Sequence, residues 1–186
     1  MARILMVVMS VILMGCASGT PINDFSTRSV VYGWLDIGQV SGNRLVGVSI
    51  RNTRTGAEEQ YYDIGWEKLD GGYLIWHNGV QPGQYEFNKI QTMACLGVMC
   101  GNTINEYEFG ALGSAPGKVT VRSPGVYSMG KYTLKTTRRG FFRPGEFDIR
   151  ETVGGPSRRE MLGVMVQYAP EEHPVVAQRI QRAMAQ

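Results

Sequence analysis

Apolar and polar side chains alternate at period two along most of the chain between Ser29 and Glu151. Alternation of that kind predicts β-strands, because successive side chains of a strand point to opposite faces of its sheet. Ser29 to Ile37 carries Val30, Tyr32 and Trp34 on one phase. Arg44 to Arg51 sets Val46, Val48 and Ile50 on one face and Gly47, Ser49 and Arg51 on the other, as a half-buried strand does. Gln60–Trp66 and Gly72–His77 continue the series, with Asp70-Gly71-Gly72 as the turn between them. Gln84–Ile90 alternates Tyr85 and Phe87 against Glu86 and Asn88. Shorter candidates follow at Glu106–Phe109, Lys118–Arg122, Val126–Lys135 and Glu146–Glu151. Eight or nine short strands separated by Gly and Pro turns predict a mostly β protein, an antiparallel β-sandwich.

One turn pattern recurs. Pro82-Gly83-Gln84-Tyr85, Pro124-Gly125-Val126-Tyr127 and Pro144-Gly145-Glu146-Phe147 share the form P-G-x-aromatic, and Pro116-Gly117-Lys118-Val119 is a weaker fourth. Proline presets φ at the second turn position and glycine supplies positive φ at the third, which predicts type II turns. The aromatic two residues on is expected to start an inward-facing row. The uneven spacing makes this a reused device and not a tandem repeat.

The period changes near the C-terminus. Ser157-Arg158-Arg159-Glu160 matches a capping box, in which Ser and Glu each satisfy an unpaired backbone N–H. Met161, Leu162, Met165 and Val166 follow at helical spacing, and Pro170 ends or kinks the helix. Pro174 suits the first turn of a second helix, with Val175, Val176, Ile180 and Met184 on one side and Gln178, Arg179, Gln181 and Arg182 on the other. Such a tail either packs on the sandwich or docks a partner, and its arginine-rich polar face would suit an acidic one.

The first sixteen residues change the picture most. Arg3 is followed by an apolar run from Ile4 to Met14, broken only by Ser10. That run is about half the roughly 20 residues that span a bilayer. It describes a secretory signal and not a membrane span. Leu13-Met14-Gly15-Cys16 resembles the lipobox of bacterial lipoproteins, with the aliphatic residue three before the cysteine and a small residue just before it, although Met14 departs from the usual pattern. The resemblance implies that residues 1–15 are removed and that Cys16 becomes the lipidation site. Because Ala17 is not Asp, it also implies an outer-membrane location, on the periplasmic side or at the cell surface. Ordinary cleavage near Ala17-Ser18-Gly19, releasing a secreted protein, is the alternative. The layout expected is a signal peptide at 1–15, a tether at 16–27, a β-sandwich at 28–152 and a helical tail at 153–186.

Loss of residues 1–15 leaves 171 of 186 residues, enough for one core, and lowers the formal charge from +3 to +2. The basic residues are scattered, so no nucleic-acid partner is indicated. Once Cys16 carries lipid, Cys95 and Cys100 remain, and an exported compartment permits a disulfide between them. A short looped bridge is the favoured reading. Zinc would need two further ligands, and the only histidines, His77 and His173, are remote in sequence. Two reduced buried thiols are the third possibility.

The run Val31-Tyr32-Gly33, Leu45-Val46-Gly47-Val48-Ser49-Ile50, Gly72-Tyr73-Leu74-Ile75-Trp76 and Val80-Gln81-Pro82-Gly83-Gln84-Tyr85 resembles the transthyretin-like, carboxypeptidase-regulatory-like β-sandwich repeat. The likeness covers about a third of the chain and is carried by structural motifs. It is interrupted by an insertion between Thr53 and Leu69 and stops near residue 92. It implies a transthyretin-like sandwich and a non-catalytic role in binding, stability or assembly.

No catalytic constellation is visible. There is no G-x-S-x-G elbow, and the glycine-rich stretches lack the lysine of a phosphate loop. His77 lies in an aromatic strand and His173 at a helix start, the latter expected in solvent. Glu58-Glu59 and Glu171-Glu172 are adjacent pairs that need no catalysis to explain them. The dense aromatics Tyr61, Tyr62, Trp66, Tyr73 and Trp76 are core by default, but an exposed subset of Trp66, Tyr73 and Trp76 would make a candidate binding surface. The sequence therefore points to a lipid-anchored, non-catalytic binding or assembly element of the cell envelope with an envelope protein partner, and without cofactor or metal. A periplasmic small-ligand or carbohydrate-binding module is the alternative, and an envelope hydrolase with an unrecognised site a further one.

Overall fold

The first strand, β1 (Ser29–Gln39), is apolar on both phases, and the architecture explains why. In the computed structural model, Val30, Tyr32 and Trp34 face a layer of helices, while Val31, Leu35 and Ile37 face a second sheet. A strand covered on both sides reads as a near-continuous apolar run. The structure describes residues 24–40, 42, 44–58, 64–96, 99–110, 115–138, 146–169 and 173–186. The expected signal peptide, Cys16, most of the tether, Tyr61 and Tyr62 lie outside them.

The remaining strands are β2 (Arg44–Asn52), β3 (Ile64–Leu69), β4 (Gly72–Val80), β5 (Gly83–Leu96), β6 (Met99–Glu108), β7 (Val119–Val121), β8 (Val126–Arg138) and β9 (Glu146–Glu151). Two helices follow, α1 (Arg158–Gln167) and α2 (Pro174–Met184). One sheet has the order β3-β4-β1-β8-β9, and the other runs β2-β5-β6 with β7 also on β5. The chain is thus mostly β, in two sheets, with two short C-terminal helices forming a third layer.

One pairing departs from an all-antiparallel expectation, because β1 and β8 are parallel. The reason is the path of the chain. β7 runs antiparallel to β5 and so returns to the end of the fold where β1 begins. β8 starts there and must run beside β1 in the same direction. The buried Ser29 pins the junction, its hydroxyl donating to the Ser123 carbonyl at 3.0 Å and accepting from the Gly125 N–H at 3.2 Å.

Asp70-Gly71 makes the expected turn between β3 and β4. Both residues have positive φ, 46° and 76°, and Leu69 pairs with Gly72, so this is a two-residue type I′ hairpin. The P-G-x-aromatic motifs work differently from the type II turns expected. Gly83 and Gly125 do not have positive φ, Gly117 does, and Gly145 lies outside the described residues. At Gly83 and Gly125 the glycine clears space on its own face: a Cβ there would stand 3.1 Å from the Tyr85 ring and 2.9 Å from the Tyr127 ring. Residues i and i+2 share a face, so the aromatic lies back over the glycine. The inward row does form, since Tyr85 is buried in the sandwich core and Tyr127 and Phe147 pack against it.

Ser157 caps α1 with both capping-box hydrogen bonds present, and its hydroxyl, followed by its backbone N–H, holds the Glu160 carboxyl below its usual range. Met161, Leu162 and Met165 of α1, with Val176, Ile180 and Ala183 of α2, pack on the outer face of the first sheet against Tyr32, Trp34, Leu74 and Trp76. The Trp34 Nε1–H, buried beneath them, donates to the Leu69 carbonyl at 2.8 Å. Arg179 turns inward from α2. Its guanidinium donates to the carbonyls of Phe25, Ser26 and Arg28, which ties the C-terminal helix to the segment leading into β1. Burial, and then the nearby Arg182, lower its proton affinity.

Candidate functional site

The register places two poles on the domain. β1 begins at the pole shared with the β4–β5 turn, because Ser29 pairs with Val80. β2 returns from the other pole, and β5 runs back toward it, Arg44 pairing with Met93. Met93 is the last β5 residue paired with β2, and beyond it β5 pairs with β6 alone. The β5–β6 hairpin therefore projects as a two-stranded finger, opposite the pole where the chain enters. The eleven residues of β1 span about 35 Å, and the finger adds about 10 Å more.

Two-stranded hairpins are marginal in water. This one is braced by a disulfide between Cys95 and Cys100, which are directly paired across the hairpin with Cα atoms 4.0 Å apart. Next to it, Leu96 pairs with Met99 and both side chains stand in solvent, 80% and 70% exposed. Ile104 is also exposed. From Ile90 to Asn105 no residue is charged. Large apolar side chains held out on an uncharged, covalently braced element keep apolar surface in water that burial against another surface would stabilise. Closing so short a loop is worth about 2 kcal/mol in the chain-entropy account. A Cys95→Ser/Cys100→Ser variant is accordingly expected to melt cooperatively with at most that loss. Its amide exchange should speed up in the finger but stay slow at Ile90; uniform acceleration would show that the bridge supports the whole fold.

The outer face of the second sheet is polar but not open. The Arg51 Nη2 is 2.7 Å from the Glu86 Oε1, and the Asn88 amide donates to the Ser49 hydroxyl at 3.2 Å. Alternation put Glu86 and Asn88 on the polar side of β5, where they lie buried and hydrogen-bonded. A shallow cleft of about 370 Å³ opens beside them, lined by Thr53, Gln84, Glu86, Lys118 and Thr120. Among the described residues its one aromatic neighbour is Tyr85, which is buried.

The other sequence-derived candidates are distributed. Trp66 and Tyr73 are half-buried against the sandwich core, whereas Trp76 is buried on the opposite face of the same sheet under the helices. The three rings thus do not share one surface. Their positions explain why: Trp66 pairs with Ile75, so Trp76 one residue on points the other way. His77 is buried, its Nδ1 accepting from the Gly79 N–H at 3.0 Å. His173 is half-buried and not in open solvent, its ring 4.4 Å from Phe25. The outward faces of α1 and α2 keep Arg158, Arg159 and Arg182 exposed, but their apolar faces are spent on the sheet. Among the described residues, no three His, Cys, Asp or Glu side chains gather to hold a metal ion, and no helix is long and apolar enough to cross a membrane.

No family model, curated protein or solved structure matches the chain. Sequence reasoning located the cysteine bridge but took it for a short loop, and it missed the finger. The available signal was the near-symmetric Cys95-Leu96-Gly97-Val98-Met99-Cys100, in which two cysteines and two large apolar residues stand symmetrically about a glycine-containing dipeptide, a hairpin signal.

Proposed function

We propose that this chain is an exported, lipid-anchored and non-catalytic binding or assembly element of the cell envelope, held at the outer membrane by Cys16, with the β5–β6 finger as its contact surface toward an envelope protein. The observation that carries this reading is the uncharged, disulfide-braced hairpin with Leu96 and Met99 in solvent. The disulfide suits an exported chain. The tether leads into β1 at the pole opposite the finger, so a domain standing on its anchor presents the finger away from that bilayer.

Two substitutions in the full chain test this. Leu96→Ser/Met99→Ser should weaken cross-linking to the envelope partner by about tenfold or more, as loss of a buried hot spot does, and should leave the thermal melt unchanged. An unaltered cross-linking pattern would remove the finger as the contact. In the same membranes, Cys16→Ser should move the protein from the pellet to the soluble fraction. A variant that still pellets, from a parent with no acyl chain on its first mature residue, would remove the anchor.

A further inference from the structure

We infer that the Cys95–Cys100 bridge is a site of thiol–disulfide exchange, attacked at the Cys95 sulfur by a dithiol reductant while Cys100 leaves beside Arg44, and that its opening loosens the finger. The exchange chemistry stands apart from the proposed function, whereas its effect on contact rests on the finger being the contact surface. Both cysteines are half-buried and lie beyond the last β5 residue that β2 covers. The bridge is therefore outside the core, and reaching it requires no unfolding of the sandwich. Arg44, the first residue of β2, pairs with Met93 and reaches the finger, its Nη1 donating to the Cys100 Sγ at 3.9 Å. Among the described residues no carboxylate pairs with this guanidinium. The segment from Ile90 to Asn105 brings no charge of its own to either sulfur. Arg44 thus makes the two halves of the bridge unequal.

A guanidinium stabilises a thiolate far more than a neutral disulfide sulfur. The sulfur whose thiolate is better stabilised is the faster leaving group in exchange. A reductant thiolate accordingly attacks the Cys95 Sγ. The Cys95–Cys100 bond breaks, and its electron pair stays on Cys100, a thiolate facing Arg44. The second thiolate of the reductant then attacks the reductant's own sulfur in the mixed disulfide, and Cys95 leaves as a thiolate. The two protons of the reductant pass to solvent, and the new thiolates draw theirs from it. Two electrons move, so the dithiol ends as a disulfide and the bridge as two thiols. What remains past Met93 is a two-stranded hairpin without its covalent brace, which is marginal in water.

The test uses the full chain purified in mild detergent. Glutathione is added, the reaction is stopped early with acid, and the mixed disulfide is located by fragmentation of the peptide that holds both cysteines. It should favour Cys95 by about threefold or more, and the preference should vanish in Arg44→Gln. Reduction by dithiothreitol should slow about threefold in Arg44→Gln and keep most of its rate in Arg44→Lys. An even split in the parent, an excess on Cys100, or a rate indifferent to Arg44 overturns the inference. In membranes, Cys95→Ser/Cys100→Ser should cross-link to the envelope partner about threefold less than the parent, because a loosened finger must be ordered on binding. If that variant cross-links like the parent while Leu96→Ser/Met99→Ser abolishes cross-linking, control by the bridge falls and the proposed contact stands. If exchange runs at Cys95 as expected while Leu96→Ser/Met99→Ser changes no cross-link, the exchange site stands and the contact surface falls.

Discussion

Truncation of the chain ahead of Ser157 is expected to unfold the domain, although the removed segment looks like an appendage in sequence. α1 and α2 cover Val30, Tyr32, Trp34, Leu74 and Trp76, each at most 5% exposed. Burial of a large apolar side chain is worth about 1.5–3 kcal/mol, so uncovering five costs on the order of 10 kcal/mol. A whole domain of this size is stable by only about 5–15 kcal/mol. The truncated chain would also lose the Arg179 hydrogen bonds to the segment before β1. The expected result is loss of the cooperative thermal transition and binding of a hydrophobic dye. A truncated protein that melts cooperatively within a few degrees of the parent would refute it, and would free the helices to act as the docking tail that their arginines suggest.

The second large effect is expected at Phe87. Its ring is fully buried between the sheets, edge-on to Tyr132 with centroids 6.2 Å apart. Two glycines shape its socket: a Cβ on Gly33 would lie 2.9 Å from the ring and one on Gly117 only 2.4 Å from it. Phe87→Ala should cost about 3–5 kcal/mol, the transfer energy plus the cavity left behind. Gly117→Ala should cost at least about 1–3 kcal/mol from overpacking, with added strain because Gly117 has φ +74°. Removing the ring removes the clash, so the double variant should be more stable than the sum of the two losses. Urea unfolding of the three variants measures this, and strict additivity would mean that ring and glycine do not contact.

The strands were largely legible before the structure. Arg44–Arg51 and Gln84–Ile90 turn apolar side chains to the core and polar ones to the other face, and period two records that chemical asymmetry even though Ser49, Glu86 and Asn88 on the polar side are also buried. The capping box at Ser157 and the Pro174 start of α2 were legible because helix ends are governed by local hydrogen bonding. The finger was not legible. Beyond Met93 the described residues of the hairpin up to Asn105 are exposed or half-buried, so little burial pattern was imposed on the sequence. The glycines of the P-G-x-aromatic motifs were noticed but explained wrongly for Gly83 and Gly125, since the ring that needs the space sits two residues away and its conformation cannot be read from composition.

By itself, then, the sequence determined what is local: which segments alternate, where the helices start, that Cys95 and Cys100 lie close enough to bridge, and that Leu13-Met14-Gly15-Cys16 resembles a lipidation signal. Tertiary structure decided that β5 and β6 run on past the end of β2, that β1 and β8 run parallel, that Trp76 is turned away from Trp66 and Tyr73, and that the helical tail is part of the core. The reason is one of range. Periodicity and capping act over a few residues, whereas strand order and coverage depend on contacts between residues as distant as Phe25 and Arg179, whose meeting no single stretch of sequence encodes.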